Sequence, residues 1–165
     1  MTLKDLEKAK EYYTLALDLE PGDYYTMLML GSTYFEIGDF DSAHHWLARS
    51  YKGFPYSVKA NSQLAILDLM NGATDKAIDR CDRLLKLNLE SYSCMRVAAA
   101  SSIVAGDLSD ARIRFDKMSK LWPNDGYVRL GQAFVLLSEN ANEQAQQIID
   151  SVLEQAYESI EKGND

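Results

Sequence analysis

Few side chains in this chain stand at spacings that support chemistry. Its two histidines, His44 and His45, are adjacent. Neighbours on a helix point about 100° apart, so the pair cannot hold one ion with good geometry, and the outer surface of a helix is their expected place. The two cysteines, Cys81 and Cys94, are too few for a disulfide framework. Cys81 falls at an inner helical position and Cys94 opens the next helix. The junction between them could bring the two near each other; the expectation is small buried core residues. Asp75, Asp79 and Asp82 alternate with Arg80 and Arg83, the mixed charge of a solvated helix face. Paired acid/base carboxylates, a phosphate-cradling glycine loop, a serine elbow and a metal-ligand cluster are all missing from the sequence. The expectation is a protein that is not an enzyme and needs no cofactor.

What does recur is small residues at one spacing. Ala9, Ala43, Ala77, Ala111 and Ala145 follow one another at intervals of 34 residues. Gly31, Ala65, Ala99 and Ala133 keep the same step, as do Gly38, Gly72 and Gly106. Pro21, Pro55 and Pro123 form a fourth series, with Leu89 where one proline is missing. A fixed period of this size, free of insertions, is the mark of a stacked repeat architecture. The fold class expected is all-α, a solenoid of antiparallel helix hairpins with about nine helices.

The elements follow from local signals. Thr2 and Asp5 predict a capping box for a helix over 2–19, which Pro21-Gly22 ends. Further helices are expected over 23–37, 40–52, 57–71, 74–88, 91–105, 108–121, 125–139 and 142–161. Gly38-Asp39 reads as a helix-ending glycine followed by an N-capping aspartate, and Gly106-Asp107 repeats it. In the repeat frame the array divides into 1–20, 23–55, 57–89, 91–123 and 125–162. The first is a half repeat, a second helix without its partner. The last ends in an extended helix whose polar outer end suits a solubilising cap. Helices approach to about 8–10 Å only through small contact residues. The Gly31/Ala65/Ala99/Ala133 and Ala43/Ala77/Ala111/Ala145 series are therefore read as facing pairs.

The best-preserved copy, Met27-x-x-Leu30-Gly31-x-x-Tyr34, then Ala43-x-x-x-Leu47, then Pro55, resembles the tetratricopeptide repeat (TPR) pattern. The resemblance spans nearly the whole chain. It implies a superhelix whose first helices line a concave groove for a protein or peptide partner. Carried onto this sequence, the groove is Tyr25, Leu28, Ser32, Phe35, Lys59, Ser62, Gln63, Ile66, Arg96, Ala100, Tyr127, Leu130 and Phe134. It is largely apolar, with Lys59 and Arg96 as its cations. Some members of the family clamp a peptide carboxylate with lysine, asparagine and arginine. Leu28, Ser32, Lys59, Gln63 and Val97 do not supply that set, so a chaperone-tail clamp is not expected. An apolar groove suits an amphipathic helix or an extended peptide with Leu or Phe anchors. Leu69, Ile103 and Leu137 could instead pack between neighbouring first helices.

Charge narrows the partners. With 17 Lys and Arg against 25 Asp and Glu, the net charge is −8, which argues against nucleic acid and anionic membrane surfaces. No apolar run reaches the length of a bilayer span, so no membrane insertion is expected, and the charged, amphipathic first residues do not read as a signal peptide. A cytoplasmic location is favoured. Two other readings stay open. The uncovered first helix, through Leu3, Leu6 and Tyr13, could pair with a second copy to give a homodimer. The chain could also be a small acidic chaperone of the secretion type.

Overall fold

The structure, a computed structural model, describes residues 2–89 and 91–163. Nine helices and no strand are found among these residues: α1 (Leu3–Leu19), α2 (Tyr24–Ile37), α3 (Phe40–Gly53), α4 (Val58–Met70), α5 (Thr74–Lys86), α6 (Tyr92–Val104), α7 (Leu108–Leu121), α8 (Gly126–Ser138) and α9 (Asn142–Gly163). The chain forms two compact units, residues 1–101 and 102–165, with the boundary in the last turn of α6.

Helix ends are fixed by the residues that the sequence singles out. Thr2 and Asp5 form the capping box on α1. Asp39 accepts from the Ser42 N–H and Asp107 from the Asp110 N–H. Gly38, Gly72 and Gly106 take left-handed φ values of 90°, 73° and 78°. Asn140, one period further on, takes their place at φ 62°. Asparagine tolerates this region because its short polar side chain bonds locally. Each of these residues lets the next N–H turn back onto the helix. Asp39, Ala73, Asp107 and Ala141 donate to the carbonyls of Tyr34, Asp68, Ser102 and Leu136 at 3.0, 2.8, 2.9 and 2.9 Å. This Schellman closure satisfies carbonyls that a helix end leaves open.

The alanine series lie inside, apart from Ala9 on α1, which is half-buried. Ala43, Ala65, Ala77, Ala99, Ala111 and Ala145 have no exposed surface and Ala133 almost none. In the first hairpin the atoms that stand nearest to Gly31 are those of Leu47, one turn beyond Ala43. A Cβ on Gly31 would meet the backbone and side chain of Leu47, rather than Ala43, at 2.9 Å. In the first unit, Leu17, Met27 and Leu30 gather Tyr13, Tyr34 and Trp46. Leu28, Ala43, Leu47, Ala60, Leu64 and Leu67 form the next layer. Ala65, Ala77, Cys81, Leu84, Cys94, Val97 and Ala98 form a third.

Cys81 and Cys94 are fully buried, as expected, but they are not independent core residues: a disulfide joins them, with Cα atoms 5.2 Å apart. Asn88 makes this possible. Its left-handed backbone, φ 55°, turns the chain so that the Leu89 N–H reaches the Leu84 carbonyl at 3.0 Å, and α6 starts back over the end of α5.

A second correction concerns Arg80. It does not belong to a solvated face. Its guanidinium is mostly buried in an ion pair with Asp68 on α4, and lies over the Tyr51 ring at 5.3 Å. Arg83 keeps the surface role, pairing with Asp79 and donating to the Tyr51 hydroxyl at 3.0 Å.

In the second unit the corresponding polar contact has three members. Ser102 and Arg114 both donate to Asp110, at 2.5 and 2.6 Å. Burial alone would raise the Asp110 pKa. The Arg114 guanidinium and the Ser102 hydroxyl outweigh it and hold the carboxyl below its usual range.

Candidate docking surfaces

On the first unit, packing divides the residues assigned to the groove. Ser32 and Ser62 are buried and not available to a partner. The Ser32 hydroxyl donates to Gln63 Oε1 at 2.7 Å, linking α2 to α4, and Ser62 shares a hydrogen bond with Ser91 at 3.3 Å. Gln63 is half-buried by the same contact. Ile66 and Leu69 are half-buried against the Cys81–Cys94 layer. Phe35 is half-buried, edge-on to Phe40 at 5.8 Å. Lys59 is exposed; Arg96 is exposed and lies over the Tyr92 ring at 5.5 Å; Ala100 is half-buried.

Tyr25 and Leu28 do something the repeat pattern did not announce. Together with Gly53, Phe54, Pro55, Tyr56 and Ser57 they line an open cavity of about 520 Å³. Tyr25, Phe54 and Tyr56 are 61%, 46% and 62% exposed, while Leu28, at 8%, is the floor. The rim is held from several sides. Ser50, fully buried, donates to the Tyr24 carbonyl at 2.8 Å. Asn61, also buried, donates to the carbonyls of Pro55 and Ser57 at 2.9 and 2.8 Å. Asp23 caps α2 by accepting from the Tyr25 N–H at 3.0 Å, and the Thr26 hydroxyl, more than that N–H, draws its pKa down. The Tyr24 ring meets Phe54 edge-on at 6.2 Å and covers Gly53, where a Cβ would come within 2.1 Å of it. A side chain at position 53 would push the Tyr24 ring off the cup. Phe54 and Tyr56 escaped the sequence reading because Pro55 was read as punctuation. The available signal was two aromatics flanking that proline.

On the second unit, Leu130, Phe134 and Leu137 are 46%, 45% and 46% exposed and follow one face of α8. Val128, Ala133 and Val135 are the buried residues of that helix. Tyr127 is half-buried, its ring tilted against Phe115 at 5.9 Å.

The residues assigned to self-association divide as well. Leu6 is buried and Tyr13 packs on the Leu17–Met27–Leu30 cluster, so both face α2 rather than the open side. The open side of α1 carries Tyr12, Leu15 and Leu19; Leu3 is exposed but lies elsewhere on the helix. On α9 the expected polar outer end is interrupted by exposed Leu153, Tyr157 and Ile160, spaced as one helical stripe.

His44 and His45 are exposed, and no group of three or more His, Cys, Asp or Glu among the described residues could hold a metal ion. No helix of the described residues is long and apolar enough to cross a membrane.

These features are those of a helix-hairpin repeat protein, and the fold is that of a tetratricopeptide-repeat array. The family model described as tetratricopeptide repeat matches residues 1–23. No curated protein matches the chain in sequence. Among solved structures, the chain is similar to the crystal structure of MamA, with a TM-score of 0.85 and 20% identity over 96% of this chain and 92% of that one. It is similar to MamA 41-end from Desulfovibrio magneticus RS-1, with a TM-score of 0.83 and 14% identity over 93% and 86% of the two chains. A tetratricopeptide repeat protein from Parabacteroides merdae gives a TM-score of 0.75 at 20% identity, over 91% of this chain and 59% of that one.

Proposed function

We propose that the chain is a non-catalytic protein–protein interaction scaffold that works within a larger protein or assembly. Its first helices present apolar side chains to an amphipathic helix or an extended peptide. The observation that carries this reading is the α8 stripe. Three large apolar side chains stand nearly half exposed along one face of a helix that buries Val128, Ala133 and Val135 on its inner side. Exposed apolar patches of this kind mark interaction sites. On the first unit, Tyr25, Phe35, Lys59, Ile66, Arg96 and Ala100 remain as contact residues. Capture of partners from native extract by wild-type protein and by the Leu130→Glu/Phe134→Glu variant tests the reading. The variant is expected to lose a specific partner at unchanged helicity; an identical captured set would reject the α8 surface.

The open face of α1 supports a second reading, self-association through Tyr12, Leu15 and Leu19. Light scattering across a concentration series decides it. A concentration-independent monomer removes it, and a dimer lost in Leu15→Glu supports it.

A further inference from the structure

The cup on the first unit has a charge setting unlike the rest of the chain. Residues 42–67 contain no Asp or Glu, although the chain as a whole has 25. The same stretch carries Arg49, Lys52 and Lys59. Arg49 lies over the Trp46 ring at 4.7 Å. Lys52 and Lys59 are exposed, and neither is in an ion pair among the described residues. They flank the segment Phe54–Ser57 that forms the rim. In a chain of net charge −8 this is a local cationic stretch, and it borders the apolar hollow on the loop side, while Asp23, the N-cap of α2, stands on the Tyr25 side.

We propose that this cup docks an acidic peptide segment, with one large apolar side chain entering between Tyr25, Phe54 and Tyr56, and with flanking carboxylates reaching Lys52 and Lys59. The volume fits such an anchor, lying within the 300–1,000 Å³ range of ordinary ligand pockets. The rim is preformed: Asn61 holds the Pro55 and Ser57 carbonyls of the loop, and Ser50 ties α3 to the Tyr24 carbonyl of α2, so little ordering opposes binding. Tyrosine and phenylalanine give contact area at small entropic cost. An aromatic hollow can also receive a cation. Here two uncompensated lysines oppose one, and the same charges attract carboxylates. The proposal shares with the scaffold reading a peptide ligand and two contact residues, Tyr25 and Lys59. The α8 surface that carries that reading lies on the other unit.

The test uses fluorescein-labelled decapeptides and the full chain. One peptide carries a central Trp among Glu residues, a second has Lys in place of Glu, and a third has Ala in place of Trp. Anisotropy titrations are expected to show the acidic Trp peptide binding at least about tenfold more tightly than either control. Tyr56→Ala should weaken it by a similar factor. Lys52→Glu/Lys59→Glu, which touches no buried group, should abolish the preference for Glu over Lys and flatten the salt dependence. Leu130→Glu/Phe134→Glu should leave this binding unchanged, so failure of the cup and failure of the α8 surface are read separately. Equal binding of the three peptides, no binding, saturable shifts of Tyr25 and Tyr56 resonances by tetramethylammonium instead, or concentration-dependent shifts without peptide, the sign of a second copy, would each overturn the proposal.

Discussion

Arg80 Nε lies 3.0 Å from a carboxylate oxygen of Asp68, twelve residues earlier in the chain. This contact occupies a slot that every hairpin must fill, and each fills it differently. The slot is Tyr34 with Trp46 in the first hairpin, both packed on the Leu17–Met27–Leu30 cluster. It is Asp68 with Arg80 in the second. It is Ser102, Asp110 and Arg114 in the third. In the fourth it is Leu136 and Ile148, which help line a cavity of about 100 Å³.

Removing one member of the second pair leaves the other mostly buried without its counter-charge. Asp68→Ala is expected to cost about 2–3 kcal/mol, more than an exposed pair supplies. Asp68→Tyr with Arg80→Trp, the solution of the first hairpin, should be milder than the sum of the two single changes. A double-mutant cycle in urea checks both; a single-mutant cost below about 0.5 kcal/mol would remove the pair from the account.

The Cys81–Cys94 bond closes a loop of sequence separation 13. Loops near that size confer about 3 kcal/mol by restricting the unfolded chain. The unreduced protein should therefore react with no thiol reagent when unfolded. Reductant should lower its melting temperature, and Cys81→Ala/Cys94→Ala should melt at the lower value with or without reductant. Free thiols in protein that has never been reduced would refute this.

Asp110 titrates below an ordinary aspartate when folded. A depressed folded pKa means that stability is present above the unfolded value, near 3.9, and is lost as pH falls through the folded value. Thermal melts from pH 7 down to pH 3 should show a smaller acid loss for Asp110→Asn than for wild type. Parallel curves would show that the Arg114 and Ser102 contacts contribute nothing in solution.

The architecture was legible because small residues and turn glycines obey steric rules that hold at any point in a repeat. Thr2, Gly38, Asp39 and the buried alanines could be placed from type and position alone. The surfaces were less legible. Ser32 and Ser62 occupy groove positions in the repeat frame, yet their hydroxyls are engaged by Gln63 on α4 and by Ser91 just before α6, a cross-repeat pairing that no period reveals. Leu6 and Tyr13 were assigned to the open face of α1 because they are apolar, but the angle that points them at α2 depends on how the helix is seated. Arg80 looked solvated because its partner Asp68 lies on a different helix. Asn140 continues the glycine series and could have been read there, since asparagine shares glycine's tolerance of the left-handed region.

Self-similar chains run the danger of assembling one step out of register, since every segment resembles its neighbour. The changing occupants of the Tyr34/Asp68/Ser102/Leu136 slot guard against that error. A shifted arrangement would set Trp46 against Asp68, or Arg80 against Tyr34, and strand a charge in an oily seam at a cost of several kcal/mol. The departures from consensus thus act as a partial key, by which the aromatic first hairpin refuses the arginine-bearing helices α5 and α7.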